Sequence, residues 1–172
     1  MDSLKTMQET ALDATKPGTV NPIEMLRLEA LTSFEKYTKL MFKCQYKRSF
    51  IVAEHHRKMF EVLQDVVDGK ITRLIINIAP RYGKTELVIK SFISWAFALN
   101  PRCRFLHLSY SDILVNDNSD TVRNIMSEEL YKTLFPNSAL ASEKGSAKRW
   151  KTKAGGELYA VSTQGQVTGF GA

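Results

Sequence analysis

Cysteine is almost missing from this chain. Cys44 and Cys103 are the only two, and they show no Cys-x-x-Cys spacing. That excludes a disulfide framework and makes a reducing compartment the expectation. Histidine is nearly as scarce, with His55, His56 and His107. No His/Cys cluster with metal-ligand spacing forms. His55-His56 opens an amphipathic helical pattern, where a half-exposed structural pair is expected. No apolar run reaches the ~18 residues a membrane-spanning helix needs. The N-terminus is polar and mixed in charge, so no signal peptide is expected. Internal repeats and low-complexity tracts are absent too.

What is present fits one globular unit. The chain has 172 residues, and 44% of them are hydrophobic, enough for a core and against wholesale disorder. The net charge is +6 and the isoelectric point is near 9.3. A basic balance suits a polyanionic partner such as nucleic acid. Small basic clusters stand at Lys43, Lys47 and Arg48, and at Lys148, Arg149, Lys151 and Lys153. A solvated surface accounts for either cluster equally well.

Residues 1–21 read as a flexible tail, because Pro17-Gly18 and Asn21-Pro22 break any helix. Helical patterns follow over 22–40 and 53–67, with an aromatic and cationic connector at 42–50 and Gly69 as terminator. From residue 70 onward strands alternate with helices. Strands are expected at 73–79 and 104–110, and helices at 84–99 and 112–127, with a short helix through Leu130 and Leu134. Residues 137–147 read as a loop. A hairpin is expected over 149–152 and 157–162 around Ala154-Gly155-Gly156, and a glycine-rich loop over 164–172. Such alternation argues for an α/β sheet flanked by helices. The division is a helical lead-in at 22–69 and a core at 70–172.

The densest chemistry lies between the first strand and its helix. Leu74-Ile75-Ile76-Asn77-Ile78 is apolar on both faces, as buried parallel strands are. It runs into Pro80-Arg81-Tyr82-Gly83-Lys84-Thr85-Glu86, and then into a helix apolar almost all round. Strand, Gly-Lys-Thr turn and helix are the context of a phosphate-binding P-loop. Backbone N–H groups and the positive helix end would converge on a polyphosphate. Lys84 would reach the β- and γ-phosphates, and Thr85 would offer its hydroxyl to Mg²⁺. Gly83 lets the backbone approach the phosphate. Arg81 adds a second cation with a planar fork. Glu86 suits the first turn of a helix in its own right. The pattern lacks its first glycine: Ile78 stands five residues before Gly83.

A working P-loop ATPase also needs a carboxylate at the C-terminal end of another strand. No apolar run after Lys84 ends in such an acid pair. Asp112, Asp117 and Asp120 lie on a helical pattern, Glu128-Glu129 follow it, and Glu157 starts a strand.

These residues carry a resemblance. Residues 30–172 resemble the N-terminal ATPase domain of tailed-phage terminase large subunits, the motors that package DNA into a procapsid. The matching pieces are Phe50 with His55-His56, the run from Gly69 through Ala79-Pro80-Arg81-Tyr82-Gly83-Lys84-Thr85-Glu86-Leu87, and Ser109-Tyr110-Ser111. Val122-Arg123-Asn124-Ile125, Phe135-Pro136, Trp150 and Thr168-Gly169-Phe170-Gly171-Ala172 complete them. The Pro-Arg-x-Gly-Lys-Thr-Glu loop is similar to that family's deviant Walker A sequence, which explains the missing glycine. The resemblance implies a P-loop NTPase-type, mostly parallel sheet. It implies ATP and Mg²⁺ as cofactors, held by Arg81, Gly83, Lys84 and Thr85, with Thr85 on the metal. It implies double-stranded DNA, a portal protein, a small terminase subunit and a homo-oligomeric ring as partners, in the cytoplasm of a bacterial host and transiently on the procapsid. Ser109-Tyr110-Ser111 would lie near the nucleotide or the DNA-translocating face. In the family the segment like 168–172 leads into the Walker B strand, so this chain is expected to stop before its Walker B acids and the nuclease domain. No catalytic residue is assigned, and hydrolysis by the chain alone is not expected. With its sheet incomplete, an unpaired edge and poor solubility are expected. Two other readings stand beside this one: a non-catalytic nucleotide- or DNA-binding module, and a fragment of a helicase-like P-loop motor.

Overall fold

The computed structural model describes residues 21–142 and 146–163. All but Asn21 of the tail expected at 1–21, and the glycine-rich stretch at 164–172, lie outside the described residues. Among the described residues the chain forms six α-helices and a three-stranded mixed sheet. No helix there is long and apolar enough to cross a membrane.

Helix α1 spans Pro22–Thr32. The Asn21 side chain accepts from the Ile23 N–H at 3.0 Å, and Pro22 takes the first turn. A single helix over 22–40 is not what forms. Ser33 leaves helical geometry (φ −139°, ψ 115°) and caps a second helix, α2, Phe34–Tyr46. The Thr32 hydroxyl bonds back to Leu28 at 2.8 Å, and the Ser33 hydroxyl accepts from the Lys36 N–H. Both side chains offer the backbone an alternative to a continued helix. The break has a use: it frees the Ala30 carbonyl, which accepts the Trp95 indole N–H at 2.9 Å. The connector expected at 42–50 is also largely helical. Phe42 packs against Tyr46 at 4.6 Å and meets Phe50 edge to face at 5.1 Å, and α2 runs on to a left-handed Lys47.

Helix α3 covers Glu54–Val67 and ends at Gly69 in the left-handed region, as its sequence indicates. The helix after the Gly-Lys-Thr turn starts with a wider π-type turn, Glu86–Ser91, and continues as α4, Phe92–Leu99. Strand β1 is Arg104–Ser109, α5 is Asp112–Ser127, and α6 is Glu129–Leu134. The hairpin consists of β2, Arg149–Lys151, and β3, Glu157–Ser162. β3 lies in the middle of the sheet, parallel to β1 and antiparallel to β2. The parallel register runs from Arg104 opposite Glu157 to Ser109 opposite Ser162.

The core gathers under α4. Trp95 stacks on Phe34 at 5.0 Å, the Tyr37 hydroxyl donates to Ser94 Oγ at 2.8 Å, and the Tyr131 hydroxyl donates to the Ser94 carbonyl at 2.9 Å. Trp150 donates to Ser119 Oγ at 2.9 Å, tying the hairpin to α5.

The strand expected at 73–79 does not form. Residues 73–79 belong to no ladder among the described residues. Ile75 is 86% exposed. The physical reason is a missing partner. Leu74 and Ile76 face β1 residues Phe105 and Leu106 across an apolar groove of about 470 Å³, where a ladder would need adjacent backbones. A strand exists only through its neighbours, and none is in place.

Candidate phosphate-binding loop

Residues 80–86 bridge the unladdered segment and the π-type turn. The sign of φ alternates along them. Pro80 is locked negative by its ring, Arg81 is at +69°, Tyr82 returns to negative, Gly83 is at +77°, and Lys84 begins the helix. Alternating left- and right-handed residues turn successive N–H groups to one side of the chain and form an anion-binding nest. None of the N–H groups of Arg81, Tyr82, Gly83, Lys84, Thr85 and Glu86 meets an acceptor among the described residues. The first intrahelical bond of the turn is Leu87 N–H to the Gly83 carbonyl, at 2.9 Å. Arg81 is one of two non-glycine residues with positive φ among those described. Such a residue costs about 1–2 kcal/mol, so an arginine held there is an outlier that points to use.

The side chains suit an anion. Pro80, Arg81, Tyr82, Lys84 and Thr85 are all exposed. Neither Arg81 nor Lys84 enters an ion pair among the described residues. The Thr85 hydroxyl makes no capping bond, so it is available to a metal-bound phosphate. Lys84 and Thr85 also line one side of the apolar groove.

Glu86 is otherwise engaged. Its carboxylate accepts from Lys90 Nζ at 3.0 Å and from the Tyr46 hydroxyl at 3.3 Å. Burial alone would lower the Lys90 ammonium, but the Glu86 carboxylate outweighs it and leaves Lys90 above its ordinary value. Burial and the Glu86 charge push the Tyr46 phenol up. Glu86 thus ties the π-type turn to the end of α2.

The histidine pair touches the loop, which the sequence reading did not foresee. Both rings are half-buried, as expected. His55 meets the edge of Tyr82 at 5.3 Å, and a Cβ on Gly83 would come within 2.8 Å of His56 Nε2. His56 Nδ1 accepts from the Ala53 N–H at 3.0 Å. Burial, with the neighbouring His55, holds the His56 imidazole below its ordinary value. The available signal was positional. Ala53 cannot cap a helix, so a side chain at the third helical position had to reach back.

Other candidate groups lie elsewhere. Ser111 is spent as the N-cap of α5, where it accepts from the Leu114 N–H. Tyr110 beside it is exposed. Asp112, Asp117 and Asp120 are on α5. Glu128 meets the Cys44 thiol at 3.6 Å, and Glu157 is buried beside Arg149. Among the described residues no group of three His, Cys, Asp or Glu side chains could hold a metal ion. Both cysteines are free, and burial pushes the Cys103 thiol up to about 12.

No protein family matches the chain, and no curated protein or solved structure is significantly similar to it.

Proposed function

We propose that the chain binds the phosphate tail of ATP, with Mg²⁺, in the loop from Pro80 to Glu86. The observation that carries this reading is the alternating-φ loop whose N–H groups are left without acceptors, set between two free cations. The N–H groups of Gly83, Lys84 and Thr85 receive phosphate oxygens as the opening turn of a helix does. Lys84 would neutralise the tail, Arg81 would add a fork of donors, and the Thr85 hydroxyl would help hold the Mg²⁺. Bound there, Mg²⁺ would supply charge neutralisation to the phosphate tail.

The wider role is the ATPase portion of a DNA-packaging motor of the terminase large-subunit type, built on a P-loop NTPase fold. The Pro-Arg-Tyr-Gly-Lys-Thr-Glu loop, the order of the motifs around it and the basic balance of the chain support this. Double-stranded DNA is then the track, a portal protein, small subunit and ring of like chains are the partners, and the host cytoplasm is the place. The chemistry offered by the described residues is binding. Among the described residues no hydrogen bond or ion pair joins the acids of α5 and β3 to the loop. That favours nucleotide binding without efficient turnover by these residues on their own.

The test is titration of a fluorescent ATP analogue with Mg²⁺ against the full chain and Lys84→Ala. Removing the one ammonium at the tail should weaken binding by about tenfold or more, in line with a charge-assisted contact of about 1.5–3 kcal/mol. Equal affinity in the two proteins refutes the reading.

A further inference from the structure

We infer that His56 is a positioning residue for the phosphate loop, a strut that carries the start of α3 against the backbone of Tyr82 and Gly83. The inference rests on the nucleotide reading above, and it concerns how the loop keeps its shape.

The ring is fixed at one nitrogen. Ala53, the residue before α3, has no side chain able to cap a helix, and its own N–H donates to His56 Nδ1 at 3.0 Å. A Glu or Gln at this third helical position ordinarily plays that part. Accepting at Nδ1 puts the ring proton of the neutral imidazole on Nε2. Nε2 is itself buried and has no hydrogen-bond partner. It faces the loop, 2.8 Å from the place a Gly83 Cβ would occupy.

The ring cannot readily swing away. Phe50 packs against it at 5.1 Å between centroids, and His55 at 3.9 Å. His55 in turn meets Tyr82. The two histidines therefore close on the two loop residues that carry the change of sign in φ. A loop that turns its N–H groups to one side turns carbonyls to the other. An imidazole edge packed against Gly83 therefore supports the loop from behind and leaves the anion side free. This also accounts for glycine at position 83 through space as well as through φ.

The experiment compares the full chain with His56→Gln, Gly83→Ala, the double variant and Lys84→Ala, by titration of a fluorescent ATP analogue with Mg²⁺ and by thermal melting. Gln keeps the reach-back acceptor for Ala53 but supplies no ring over Gly83. The expected result is melting close to that of the natural chain with affinity lowered about fivefold or more, the size of a typical coupling between sites. In the double variant His56→Gln should add little to the loss caused by Gly83→Ala, because the two act on one loop shape. Affinity of His56→Gln within about twofold of the natural chain, while Lys84→Ala loses binding, overturns the strut alone. So does a loss of affinity matched by a parallel fall in melting temperature. Natural and Lys84→Ala chains that bind alike overturn the nucleotide reading and the strut with it.

Discussion

Gly83→Ala puts the loop's shape to a quantitative test. Gly83 sits at φ +77°, where an L-residue costs about 1–2 kcal/mol. The added methyl would also meet His56 Nε2 at 2.8 Å and Cδ2 at 3.4 Å. The ring must then leave its rotamer against Phe50 and His55, for about 0.5–1.5 kcal/mol more. Holding the native loop therefore costs about 1.5–3.5 kcal/mol by adding these two ranges. The variant can avoid that cost by letting the loop relax, so global stability falls by no more than this amount. Relaxation gives up the converging N–H groups, and triphosphate affinity should drop by about 10- to 300-fold at 1.4 kcal/mol per decade. Anisotropy of a fluorescent ATP analogue at fixed Mg²⁺ reads the affinity, and urea melts read the stability. Gly69→Ala is the control: Gly69 has nearly the same φ, +75°, but nothing within 4 Å of an added Cβ. It should cost about 1 kcal/mol of stability and leave nucleotide affinity alone. If Gly83→Ala binds within about twofold of the natural chain, the nest is not the binding element.

Two further outcomes concern the surroundings of the site. Lys90→Met leaves the Glu86 carboxylate, whose side chain is 18% exposed, with only the Tyr46 hydroxyl; a loss of about 1–3 kcal/mol is expected in urea melts, and Glu86→Gln in the same chain should recover part of it. Arg149 beside Glu157 holds that carboxyl below its ordinary range. The contribution of the pair is therefore complete above the unfolded carboxyl value near about 4.3 and fades as pH falls through the lower folded value. Glu157→Gln should flatten the acid limb of a stability profile between about pH 5 and pH 2, while leaving its slope above pH 6 unchanged.

Elements with strong local signals were legible in the sequence. Asp112–Ser127 stands where its 3.6-residue pattern puts it, as does the hairpin around Gly155. At Gly156 an added Cβ would meet the Pro101 carbonyl at 2.3 Å, so glycine there makes room for a close backbone approach. The break at Ser33 was harder to see, because apolar periodicity continues through it and only the local competition of two hydroxyls ends the helix. The sheet was over-read. The family resemblance implied a mostly parallel sheet, whereas one of its two pairings is antiparallel and residues 73–79 join neither. An apolar run reports what a strand would bury; it does not report whether a partner is present. At the site, the Gly-Lys-Thr turn was readable and its supports were not. Tyr46, His55 and His56 come from 27 to 37 residues before Gly83, and no spacing rule links them to it.

The same comparison explains how the loop can be ordered beside a segment with no ladder. In a complete parallel sheet a strand fixes the approach to such a loop through backbone hydrogen bonds on both sides. Here that fixing falls to side chains. On one flank His55 and His56, in the first turn of α3, press on Tyr82 and Gly83. On the other, Tyr46 at the end of α2 and Lys90 one turn along hold Glu86, so the helix start cannot rotate freely under Thr85. Tyr46, His55 and His56 all come from the helical lead-in, and the buried Tyr37–Ser94 and Trp95–Ala30 bonds fix that lead-in to α4. The loop from Pro80 to Glu86 therefore takes its geometry from the N-terminal helices more than from the segment before it. Pairing a partner strand along residues 73–79 would order the segment, bury Ile75 and fill the apolar groove, yet it would find Gly83 and Lys84 already in place.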